Sequence, residues 1–124
     1  MPHTILVIDD DDLVREMLKK MLEKAGYSVL DASNGAIGLK IFLNNTVDLV
    51  ITDIVMPERE GLETIRDLKK NNPDIKIIAM SGGGSIGPTE YLSLAKRFGV
   101  ERTLKKPFTM KEVLTTVGEL ISQE

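Results

Sequence analysis

The sequence predicts an α/β domain in which a parallel sheet carries helices on both faces. Short, continuous apolar runs such as "ILVI" at 5–8 and "IKIIAM" at 75–80 mark strands buried on both sides. These runs alternate strictly with segments of helical period, the pattern of repeated βα units. A chain of 124 residues, 42% of them hydrophobic, can bury one core of this kind.

The first strand, "ILVI", runs into "DDDDLVREMLKKMLEKAGY", where Leu13, Val14, Met17, Leu18, Met21, Leu22 and Ala25 share one helical face. Asp11 and Asp12 fit the positive end of that helix as capping acids, and Gly26 fits its C′ position. "YSVLDA" is a second strand, Asn34-Gly35 a turn, and 36–43 a short helix. "VDLVITD" is a third strand ending at Asp53, followed by a loop "MPEREG" and a helix with Leu62, Ile65 and Leu68. The Lys69-Lys70 pair falls late in that helix, where a solvated face and the helix dipole explain it. After "IKIIAM" come a glycine run and a fourth helix with Leu92, Ala95 and Phe98. "RTLK" is a fifth strand, and Thr109 to Glu112 form a capping box for a last helix with Val113, Val117, Leu120 and Ile121. The six methionines are core filler on this reading. No interdomain linker or repeat is visible, so residues 1–124 are expected to be a single domain with no second domain attached.

Composition narrows the function. A net charge of −3 argues against broad electrostatic binding to nucleic acid. With no cysteine, thiol catalysis, disulfides and cysteine-bound zinc are excluded. No apolar run approaches the ~20 residues that span a bilayer, and the N-terminus runs into acid rather than a cleavage site, so a cytoplasmic protein is expected.

The stretch "SGGGSIGPT" at 81–89 imitates a phosphate-binding loop, G-x-x-x-x-G-K-[ST]. Pro88 stands where the lysine belongs, so both the cation and one cradling N–H are missing. It is therefore a pliable connector, not a nucleotide site.

Ligands of open parallel sheets bind at the carboxyl ends of the strands. There the first strand carries Asp9 and Asp10, the third Asp53, the fourth Ser81, and the fifth Lys105, Lys106 and then Pro107. Carboxylates brought together in this way repel by roughly 4 kcal/mol per pair at about 4 Å. Such a cluster calls for a cation. Oxygen donors in small number suit Mg²⁺, and Lys106 can supply further positive charge. A carboxylate nucleophile, a divalent metal, a lysine and a hydroxyl are the parts for phosphoryl transfer.

Four pieces, "ILVIDDDD", "DLVITDIVMPEREG", "IIAMSGG" and "LKKPF", stand in the order and spacing of the receiver domain of bacterial two-component response regulators, which the chain resembles over its whole length. The resemblance implies a flavodoxin-like (βα)5 sandwich with a five-stranded parallel sheet of order 2-1-3-4-5. It implies Asp53 as phosphoacceptor and a Mg²⁺ site of Asp10 directly, Asp9 mainly through water, Asp53, and the backbone carbonyl of Val55. It further implies Ser81 as switch hydroxyl, Lys106 as the phosphoryl-contacting lysine, and a cis bond between Lys106 and Pro107.

The implied function is a stand-alone, phosphorylation-controlled switch rather than an enzyme. It would take its phosphoryl group from a histidine kinase or phosphotransfer protein, and assist its own phosphorylation and dephosphorylation. A downstream protein would read the face formed by the fourth helix, fifth strand and last helix, without nucleic acid or membrane as partner. Thr103 departs from the family pattern, which usually has an aromatic residue there, so coupling to that face is expected to be weaker or to take another route. The glycine run after Ser81 looks like a lengthened loop that lets this segment move, as expected of a switch in which a new anion at Asp53 draws Ser81 inward. A constitutive, phosphorylation-independent interaction module is an alternative. So is a phosphatase of the haloacid dehalogenase type, although that class needs an aspartate two residues after the nucleophile, where this chain has Val55.

Overall fold

The computed structural model describes residues 2–54, 59–81 and 97–122. Its strands are β1 (Thr4–Ile8), β2 (Ser28–Ala32), β3 (Leu49–Asp53), β4 (Lys76–Ser81) and β5 (Arg102–Lys105). They form a five-stranded sheet of order β2-β1-β3-β4-β5 in which every pairing is parallel. Helices α1 (Asp12–Lys24), α2 (Gly35–Asn44) and α3 (Arg59–Asn71), and a C-terminal helix (Met110–Ile121), complete the described elements.

Strand side chains alternate between two cores. Ile5, Val7, Ile51, Ile78 and Met80 point to one face, where Leu18 and Leu22 of α1 and Val113, Val117 and Leu120 of the C-terminal helix cover them. Leu6, Ile8, Val50, Ile77 and Ala79 point to the other, under Phe42 of α2 and Ile65 and Leu68 of α3. Both faces are thus apolar and covered, which is why the strands appear in sequence as unbroken apolar runs.

The helix ends follow the sequence closely. Asp11 is the N-cap of α1, accepting from the N–H groups of Leu13 and Val14, and Gly26 follows the helix at φ 101°. Thr109 and Glu112 form the expected capping box.

Four expectations need correction. Leu13 and Met17 are exposed, at 78% and 44%, not core. They form their own i, i+4 row beside the buried row of Val14, Leu18, Met21 and Leu22, and α1 covers the sheet with only one of the two. Met110 is also exposed, so among the described methionines only Met80 and Met21 serve as core filler. Asn34 lies in the bend before α2, but Gly35 is already the first helical residue, and Asn34 caps the helix by accepting the N–H of Ile37 at 2.8 Å. Gly61 is not in a loop: α3 begins at Arg59, and a Cβ at Gly61 would lie 2.6 Å from the Cα of Ile54. Glycine there lets α3 press against the backbone just beyond Asp53.

Candidate functional site at the carboxyl edge of the sheet

The central strands deliver the acids. Asp9 extends β1 by one residue, its N–H donating to the carbonyl of Ala32 at 3.1 Å. This pairing pulls the Asp9 side chain into the protein, where it is fully buried. Asp53 ends β3 and is 5% exposed, whereas Asp10 stands open to solvent. One carboxylate oxygen from each of Asp9, Asp10 and Asp53 lies within 4.8 Å of the others.

Lys106 closes this group. Its Nζ donates to Asp9 Oδ2 and to Asp53 Oδ2, both at 2.9 Å. The other Asp9 oxygen accepts the N–H of Asp11 at 2.8 Å. The chain reaches this position because the Lys106 N–H donates to the Ser81 carbonyl at 2.7 Å, one step beyond the Ser81–Lys105 pair of the β4–β5 ladder. Alternation along β5 leaves Lys105 exposed, and the cis peptide Lys106–Pro107 follows. Ser81 is half-buried at the end of β4, next to Lys106 through the backbone.

Among the described residues, three carboxylates face one ammonium, an excess of two negative charges. Asp10 shows the consequence. Its carboxyl is raised above the usual range, first because the protein behind it displaces water and then because Asp9 and Asp53 repel its charge. Lys106 is held above the usual lysine range. Burial alone would lower it, but hydrogen bonds and charge from Asp9 and Asp53 outweigh burial, so it is an ammonium at neutral pH.

Hard oxygen donors, a charge deficit and a solvent-facing Asp10 that leaves room for water match the demands of Mg²⁺, which keeps part of its hydration shell. The structure therefore brings together Asp9, Asp10, Asp53 and Lys106, with Ser81 beside them. Val55, the glycine run at 82–87 and the expected fourth helix with Leu92 and Ala95 lie outside the described residues. Thr103, half-buried on β5, lines an open groove with Leu104, Lys111, Glu112, Thr115 and Thr116.

One residue at the site was not singled out from the sequence. Arg15 of α1 donates through Nη1 to the backbone carbonyl of Asp9 at 2.9 Å. In sequence it looks like any cation on the polar side of an amphipathic helix. Only the positions at i−3 and i−4, Asp12 and Asp11, hinted at local pairing.

Comparison with known proteins follows the same lines. Residues 5–118 match the response regulator receiver domain family. Sensor kinase CckA of Brucella abortus (strain 2308) is 37% identical over 123 residues, 98% of this chain and 13% of that protein. Response regulator MprA of Mycobacterium sp. (strain KMS) is 36% identical over 121 residues, 98% of this chain and 51% of that protein. The chain thus spans about half or less of the length of these curated relatives. Among solved structures, a response regulator receiver domain protein from Clostridium thermocellum superposes with a TM-score of 0.88 at 34% identity, covering 98% of this chain and 95% of that one. A CheY-like receiver domain protein from Methanospirillum hungatei JF-1 gives 0.90 at 28% identity, covering 99% and 96%.

Proposed function

The chain belongs to the response regulator receiver domain family, and from that premise we propose that it is a switch of a two-component system, phosphorylated on Asp53. The observation that supports this reading best is the charge imbalance at the carboxyl edge: Asp9, Asp10 and Asp53 converge, and Lys106 bridges only two of them.

In this reading an Asp53 carboxylate oxygen attacks the phosphorus of a phosphohistidine on a kinase or phosphotransfer protein. A P–O bond forms, the P–N bond breaks, and the imidazole leaves with a proton from solvent. Lys106 turns one N–H from Asp53 to a phosphoryl oxygen while keeping its hold on Asp9, which fixes the ammonium at the developing charge. The Ser81 hydroxyl donates to another phosphoryl oxygen. Asp9 and Asp10, with Asp53 and the Val55 carbonyl, would hold Mg²⁺, which supplies Lewis-acid neutralisation of the phosphoryl oxygens. The acyl phosphate is later hydrolysed at the same groups. The altered surface that a partner reads includes β5 and the C-terminal helix, in the cytoplasm, where nucleotide-driven kinases work. Among the described residues no helix is long and apolar enough to cross a membrane.

The test is incubation with acetyl phosphate and Mg²⁺, followed by intact mass. One acid-stable, base-labile phosphate is expected, and none when EDTA replaces the metal. Absence of any phosphate with the metal present overturns the reading. Ser81→Ala is expected to accept the phosphate but to lose much of the change in amide exchange that it causes in residues 82–87.

A further inference from the structure

We infer that Arg15 is the positioning residue of the acidic site, a clamp that fixes the Asp9–Asp10 peptide and so aims Asp10 at its neighbours. The inference rests on the functional reading above, because the role assigned to Asp10 is that of a Mg²⁺ ligand.

The geometry is specific. Each arm of the Arg15 guanidinium has a different partner: Nη1 takes the Asp9 carbonyl at 2.9 Å, Nε takes Asp31 Oδ2 at 3.1 Å, and Nη2 takes Asp12 Oδ1 at 2.7 Å. The side chain is only 16% exposed. The Asp9 carbonyl belongs to the same rigid peptide plane as the Asp10 nitrogen. It stands just past the last Cα pair of the β1–β2 ladder, Ile8 with Ala32, where strand pairing no longer restrains it. The Asp9 N–H is still held by Ala32. With one end on β2 and the other on Arg15, the chain is fixed on both sides of Asp9, and Asp10 leaves that frame in a set direction.

Asp10 needs such a restraint. It is exposed, the side chain it meets at Asp9 is itself an acid, and Asp9 and Asp53 repel its charge. A free carboxylate would swing outward. Asp31, at the carboxyl end of β2, anchors the clamp to the sheet and also lies 3.8 Å from Lys19. The three partners are met by three different nitrogens of a planar fork, a spread that the single nitrogen of a lysine does not reproduce.

Charge and geometry make opposite predictions, which gives a clean test. Arg15 is a cation close to an acidic site. If it acted only through its charge, removing it would tighten Mg²⁺ binding. If it positions Asp10, removing it loosens binding despite the gain in negative charge. Groups that orient metal ligands from behind are typically worth 10–100-fold in affinity.

The experiment is a calorimetric titration of parent, Arg15→Met, Arg15→Lys and Asp31→Asn with MgCl₂, alongside amide exchange of Asp10 and Asp11 in EDTA. Melting curves in EDTA confirm that each variant is folded. Arg15→Met and Arg15→Lys are expected to lose about tenfold in Mg²⁺ affinity and to exchange faster at Asp10 and Asp11. Asp31→Asn, which removes one arm's charged partner, is expected to lose less. Should Arg15→Met not fold, Arg15→Lys and Asp31→Asn carry the test. Mg²⁺ affinity equal to or tighter than the parent's in these variants overturns the clamp and leaves the functional reading standing. A parent chain that binds no Mg²⁺ overturns the functional reading, and the clamp with it.

Discussion

Two lysines hold opposite edges of this sheet, and the difference between them separates a structural site from a chemical one. At the amino edge, Lys69 of α3 donates to the carbonyl of Ile75 at 2.6 Å and pairs with Glu101, just before β5. Glu101 in turn accepts the N–H of Ile77 at 2.8 Å with its other oxygen. One cation meets one anion, and the remaining atoms are satisfied by backbone. At the carboxyl edge, Lys106 meets Asp9 and Asp53 with Asp10 beside them. Both lysines are largely buried, at 18% and 23% exposed, so burial does not distinguish them. The charge balance does. A site made only for stability closes its charges, whereas among the described residues the carboxyl edge is left short of positive charge.

The largest expected effect tests that distinction at the acceptor. Asp53→Asn should abolish incorporation of phosphate from acetyl phosphate while leaving the melting temperature near the parent's. Intact mass and thermal unfolding measure both. A comparable loss of labelling in Lys69→Met would erase the contrast between the two edges.

The metal response comes next. Mg²⁺ that binds only the native state should stabilise the parent by roughly 2.7 kcal/mol at a hundredfold excess over Kd. Asp10→Ala should remove that rise in melting temperature, and Lys69→Met should retain it. Lys69→Met should instead lose about 1–3 kcal/mol of stability in EDTA, because the Ile75 carbonyl and Glu101 keep no cation.

Exchanging the other lysine sharpens the comparison. On the proposed site Lys106 and Mg²⁺ would compete for Asp9 and Asp53, so Lys106→Met should bind Mg²⁺ roughly tenfold tighter, the size of a ~1.4 kcal/mol repulsion removed. Its labelling should nevertheless slow, since the phosphoryl oxygens lose their ammonium. Calorimetry and the labelling rate give the two readouts.

The smallest effect is a pH dependence. The folded-state pKa of Asp10 is raised, so its charge costs stability at pH values above that pKa, and the cost is gone below its unfolded value near 4. Asp10→Asn should therefore melt higher than the parent at neutral pH without metal. The gap should close as pH falls through the folded-state pKa toward about 4. A constant gap from neutral to acidic pH would assign the stabilisation to something other than charge.

Much of this was legible before the fold was seen, and for physical reasons. Strands buried on both faces leave unbroken apolar runs, so "ILVI" and "IKIIAM" announce the sheet, and the residues just past each run announce its carboxyl edge. What the sequence hid were contacts between distant segments. Lys69 looks like half of a solvated Lys-Lys pair, because nothing near it in sequence points to Glu101, 32 positions away. Arg15 looks like an ordinary helix cation, because Asp31 comes to it only once β2 lies beside β1, and a backbone carbonyl such as that of Asp9 leaves no mark in the sequence. Leu13 and Met17 looked buried because helical periodicity shows an apolar arc but not which of its rows meets the sheet.

The measurement that addresses the central claim most directly is the identity of the phosphorylated residue. The protein is incubated with acetyl phosphate and Mg²⁺ and then reduced with borohydride, which converts a phosphorylated aspartate into homoserine. Peptide sequencing by mass spectrometry then reads the position. Conversion at Asp53 alone, absent in EDTA, is the predicted result. Conversion at Asp9 or Asp10 with Asp53 intact, or no conversion at any aspartate, would contradict the account.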